Sequence, residues 1–129
     1  MNLEVNVSIG EFIDKITILK IKINKIKDKE KLKNLKFEKN LLDSKLKKLD
    51  IKNKKKFNDL MIQLLEINNS LWEIEDQIRV FEKNNKFNED FVNLARSVYK
   101  TNDKRFEVKD EINRLFNSSI KEVKSYEKY

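Results

Sequence analysis

Arg105 and Lys109 stand where a regular amphipathic helix would carry leucine. The stripe that they interrupt runs Phe91, Ala95, Val98, Asn102, Arg105, Lys109, Ile112 and Phe116. It is apolar at both ends and polar in the middle. A charge on a buried stripe is costly unless it is paired or solvated. The arginine fork suits carboxylate or phosphate better than the point charge of lysine. Arginine is also scarce here, with four residues beside 25 lysines. Arg96, Asn102, Arg105 and Lys109 are therefore candidates for holding an anionic group.

A second polar stretch surrounds the only tryptophan, Trp72: Asn68, Asn69, Glu73, Glu75, Asp76 and Arg79. If the two segments fold back antiparallel about residues 83–88, the numbers of facing residues sum to about 171. Asp76 then lies near Ala95, Asn69 near Asn102, and Glu66 near Arg105. The candidate site is Arg96, Asn102, Arg105 and Lys109 facing Glu66, Asn69, Glu73, Asp76 and Arg79. Two other readings compete with it. One is a buried ion-pair cluster that sets helix register. The other is a contact with a second copy of the chain.

Other chemistries are restricted by composition. The chain has no cysteine and no histidine. That removes disulfides, zinc–thiolate sites, a cysteine nucleophile and the commonest general base. With no proline and one glycine, Gly10, there is no phosphate-cradling glycine loop. Acidic pairs at helical spacing occur at Glu11/Asp14, Glu73/Asp76 and Glu107/Asp110. Such pairs can ligate Mg²⁺, but a chain with 40% charged residues produces them by chance. No metal or cofactor is expected. The leading reading is a non-enzymatic binding or accessory protein for an anionic small molecule or an acidic partner. The alternative is a small all-α enzyme in which cations inside a bundle stabilise a charged transition state.

The formal net charge is +7, unevenly spread. Residues 15–56 carry +12 and the remainder −5. Lysine, asparagine and isoleucine, at 25, 16 and 14 residues, all have A/T-rich codons. A low-GC genome would inflate them without selection for function. The Lys-rich segment has only Phe37 and Phe57 as stacking groups and no recognised nucleic-acid motif. Nucleic acid is thus disfavoured as a partner, and a nucleic-acid binder acting through the Lys-rich second helix stands as the second alternative function. No signal peptide and no apolar run of about 18 residues is present, so a cytoplasmic chain without a membrane span is expected.

The elements that must position these residues follow from periodicity and caps. Ser8 and Glu11 form a capping box, with Val7 and Phe12 as its staple. The apolar positions Ile9, Phe12, Ile16, Leu19, Ile23 and Ile26 define helix one. Asp28 reads as the N-cap of a second, Lys-rich helix. Phe57, Leu60, Leu64, Ile67, Leu71, Ile74, Ile78 and Phe81 keep coiled-coil heptad spacing through helix three. Asn88 caps helix four, and Asn117 suits a left-handed C-cap. The expected helices are 9–27, 29–50, 54–84 and 89–117. They form one all-α domain over 1–129, a four-helix up-down bundle. A basic hairpin (9–50) precedes a long antiparallel hairpin (54–117), and 118–129 is a tail. The alternation of Leu3, Val5 and Val7 predicts a strand over 3–7. Its partner is residues 120–126 or a second copy, which would make a homodimer. The lone alanine, Ala95, is expected to mark the closest helix approach, near Trp72 or Asp76. Gly10 and Trp72 are the other rare residues expected to have structural roles.

Several of these segments carry a family resemblance. They are Val7–Glu11, Asp14–Leu19, Leu71–Asp76 with Ile78-Arg79, and Leu94–Tyr99 with Thr101–Asp103 and Arg105. Glu111-Ile112-Asn113 and Lys124-Ser125-Tyr126 join them. Together they resemble a bacterial family known as domain of unknown function 6165. The resemblance spans almost the whole chain and implies a helical single-domain protein without an established activity. Asn117 departs from it, standing where the family pattern has glycine.

Overall fold

A computed structural model describes residues 1–129. It contains four helices: α1 (Ile9–Lys25), α2 (Lys29–Leu46), α3 (Lys54–Lys83) and α4 (Glu89–Leu115). Each begins at a side-chain cap. Ser8 accepts from the Glu11 amide, Asp28 from Lys31, Asn53 from Lys56 and Asn88 from Phe91, all within 2.9–3.1 Å. Such caps are each worth about 1 kcal/mol. The long helices end alike. Asn85 and Asn117 adopt φ of 52° and 50°, in the left-handed region. The amides of Lys86 and Ser118 then return to the carbonyls of Phe81 and Asn113 at 2.9 and 2.8 Å. These are Schellman closures with asparagine in the usual glycine place.

The helices α3 and α4 run antiparallel. Phe81 stacks on Phe91 and Phe57 meets Phe116 edge-on, within two residues of the expected register. The helix α1 lies against both, and α2 packs on α1 alone. The core joins Ile13 and Ile16 of α1, Phe57, Leu60 and Leu64 of α3, and Val108 and Ile112 of α4. Leu42 and Leu46 touch it from α2, yet α2 has no buried residue. The last buried residue of α3 is Asn68 and the first of α4 is Val108. The hairpin end carrying Phe81 and Phe91 therefore has no third layer. No helix is long and apolar enough to cross a membrane.

The expected terminal strands do not form. The termini part company instead. Glu4 reaches Lys45 of α2 at 3.7 Å. The tail is held along α4 by side chains: Glu122 at Lys109, Lys124 over Phe106, and Tyr129 on Tyr99 and Asp103. Side-chain anchoring on different helices leaves no backbone ladder between them.

Ala95 is exposed, which corrects the expected closest approach. That approach lies at Gly10, where α1 crosses α4. The Gly10 amide donates to Asn113 Oδ1 at 2.6 Å. A Cβ on Gly10 would sit 2.5 Å from the Lys109 carbonyl oxygen. Helix backbone cannot yield cheaply, so Gly10→Ala should destabilise by about 1–3 kcal/mol. Ala95→Leu should stay within about 0.5 kcal/mol of the wild type. Chemical denaturation of the two variants checks both values.

Candidate functional site

The polar centre of the molecule is built around Asp14, whose residue surface is 1% exposed. Arg105 grips its carboxylate with two nitrogens. Nε donates to Oδ1 at 2.9 Å and Nη2 donates to Oδ2. Asn68 Nδ2 donates to Asp14 Oδ1 at 2.9 Å and to Thr17 Oγ1 at 2.8 Å. The Thr17 hydroxyl donates to the Asp14 carbonyl at 2.7 Å. One carboxylate thus engages three helices. No buried side-chain nitrogen or oxygen lacks a partner. The hydrogen bond to Asp14, aided by nearby acids and outweighing burial, holds the Arg105 guanidinium above its usual pKa.

One turn along α4, Lys109 is nearly enclosed. Its ammonium donates to Glu11 Oε2 at 2.9 Å and to Glu122 Oε1 at 2.8 Å. Burial disfavours its charge, but the hydrogen bonds it donates to Glu122 and Glu11, together with the charges of Asp14 and Glu11, outweigh that, and its pKa is raised.

Arg105 separates two open clefts. The first, about 240 Å³, lies between α1, α3 and α4, lined by Ile18, Asn68, Trp72, Glu75, Asn102 and Arg105 among others. The second, about 310 Å³, lies between α4 and the tail. Arg105, Phe106, Lys109, Glu122, Val123, Lys124 and Tyr126 line it.

Asn102, Arg105 and Lys109 therefore lie together, with Arg105 Nη1 at 3.5 Å from Asn102 Oδ1. The polar residues expected to face them from α3 do not. Glu66, Asn69, Glu73 and Asp76 are exposed, as are Arg79 and Arg96. Glu73 instead approaches Lys25 at 3.8 Å. The pairing of Glu66 with Arg105 is corrected to Asp14 with Arg105, because α1 fills the groove into which the Arg105 side chain turns. Trp72 is half-buried in the wall of the first cleft. The pair Glu11/Asp14, whose spacing could hold Mg²⁺, instead meets the cations of α4.

Sequence reasoning did not give Asp14, Thr17, Glu122, Lys124 or Tyr126 a place in the site. A signal for the first two existed: Gly10, Asp14, Thr17 and Ile21 recur at helical spacing beside the apolar stripe of α1. The tail residues carry no periodic signal.

This four-helix fold with an internal Asp–Arg centre belongs to a family defined by sequence rather than by activity. Residues 3–129 match the model described as Family of unknown function (DUF6165), and the chain belongs to that family. No curated protein and no solved structure matches it.

Removing one partner of a buried ion pair strands the other charge. Arg105→Ala should therefore cost about 3–5 kcal/mol, read as a lower denaturation midpoint. Lys109 gives a pH signature. Its folded pKa lies above the usual 10.5, so its stabilising contribution is complete below about pH 10.5 and is lost as pH rises through the folded value. Thermal melts should show Lys109→Met less stable than the wild type at neutral pH, with the gap narrowing in strong alkali.

Proposed function

We propose that this chain is a binding protein for a small anionic molecule, held in the cleft between α4 and the tail. The observation that carries the reading is the free cation in that lining. Arg105, Lys109 and Lys124 line the cleft. Arg105 is paired with Asp14 and Lys109 with Glu11 and Glu122, whereas Lys124 meets aromatic rings and no carboxylate. The Arg105 guanidinium is steadied by Asp14, so a ligand there would meet a preorganised donor. Phe106 and Tyr126 flank Lys124, with the Lys124 ammonium 5.3 and 5.6 Å from their ring centres. They offer apolar surface to the body of a ligand whose phosphate or carboxylate meets the cations. Asn102 and Trp72 lie beyond Arg105, in the neighbouring cleft.

A thermal-shift screen against phosphorylated sugars, nucleotides and dicarboxylates tests this reading, followed by calorimetric titration. A ligand at a hundred times its Kd should stabilise the fold by about 2.7 kcal/mol. Lys124→Glu should lower affinity at least about tenfold, the equivalent of roughly 1.4 kcal/mol, while leaving the unliganded melting temperature near that of the wild type. Shifts no larger than those from matched ionic strength, or unchanged affinity in Lys124→Glu, would overturn it.

A further inference from the structure

The helix α2 buries no residue, although it occupies a whole flank of the molecule. Its charges are sorted. Glu38 is drawn to Lys15 of α1 at 3.1 Å, and Asp43 to Lys39 at 2.7 Å. Helical spacing puts Lys29, Lys33, Lys36, Phe37 and Leu41 on the outward side, with Glu30 as its one acid. Phe37 and Leu41, one turn apart, are 63% and 43% exposed. Beside them Lys20, Lys36 and Lys39, with Asn40, surround a hollow of about 310 Å³ between α1 and α2. Residues 27–56 carry a net charge of +8.

We propose that this face of α2 is a docking surface for an anionic lipid bilayer: Phe37 and Leu41 enter the interface, and Lys29, Lys33 and Lys36 meet acidic headgroups. An exposed aromatic–aliphatic pair ringed by lysines matches what an interfacial helix presents to acidic lipid. The hollow under Lys20, Lys36 and Lys39 accommodates one headgroup phosphate. Long lysine stems reach the headgroup layer while their methylenes stay against the apolar pair. A nucleic-acid backbone would use the lysines but leave Leu41 without a role, which favours the bilayer. Docking needs no spanning helix. It is also separate from the cleft between α4 and the tail.

Co-sedimentation of the full chain with vesicles tests the proposal. Vesicles of phosphatidylcholine alone are compared with vesicles containing phosphatidylglycerol, at roughly 0.1 M and 1 M salt. Partitioning onto the acidic vesicles should exceed that onto neutral ones at least about tenfold and fall at high salt. Phe37→Ala with Leu41→Ala, and separately Lys33→Glu with Lys36→Glu, should each reduce it about tenfold. Both double variants alter only exposed side chains, so their melting temperatures should stay near that of the wild type. Equal partitioning of the wild-type chain onto both vesicle types would overturn the proposal whatever the variants do. So would unchanged binding in the Phe37/Leu41 variant together with tight, lysine-dependent binding to single-stranded nucleic acid.

Discussion

One buried carboxylate organises the core. Asp14 is removed from water, and a carboxylate there is tolerated only if its oxygens are met by charge and by hydrogen bonds. Arg105 supplies the charge from α4 and Asn68 a hydrogen bond from α3. Thr17 accepts from the same Asn68 amide and donates to the Asp14 main-chain carbonyl, which fixes that amide on α1. Meeting that demand sets how α1 is rotated and at what height it sits in the groove of the hairpin. The apolar side chains Ile13, Ile16, Leu64 and Ile112 are fully buried in the core of the same three helices. Apolar contact is tolerant of small shifts, whereas a bidentate pair is not. The same register brings Gly10 against the backbone of α4, where a side chain would be excluded.

That arrangement decides what the cations of α4 can do. Arg105 and Lys109 do not look across to α3, because α1 intervenes. Arg105 is committed on one edge to Asp14 and is exposed on the other between two clefts. Lys109 is shared between Glu11 of α1 and Glu122 of the tail. A carboxylate from the chain's own terminus thus stands beside the most enclosed cation of the proposed site. The tail is part of the site's wall as well as a strap along α4.

The two hairpins have unequal duties. The long one forms the core with α1 over its first half and continues as a bare helical pair beyond it. The second helix adds little to the core, and Glu38 and Asp43 turn towards lysines on α1 and on α2 itself. Its outward surface keeps the lysines and two apolar side chains. A helix that contributes so little burial leaves its outer residues free to be shaped by an external partner.

Much of the architecture was legible locally. Caps at Ser8, Asp28 and Asn88 act within one turn, and the heptads of α3 and α4 need only their own spacing, so helix number, helix starts and the antiparallel hairpin follow from the sequence, whereas α2 ends at Leu46 and not at residue 50 as its spacing predicts. So did the importance of Arg105 and Lys109, since charge on an apolar stripe demands compensation wherever the chain goes. The identity of the compensating groups was decided elsewhere. Asp14 and Arg105 are 91 residues apart, and their meeting depends on which way α1 turns within the groove, a property of packing among three helices. The terminal strand was misread for the same reason: alternation in residues 3–7 specifies a strand only when a partner edge is present. Here the termini are drawn to different helices by Lys45 and Lys109. Periodicity is a property of one helix and is written in its sequence; pairing belongs to the space between helices and exists only once they have packed.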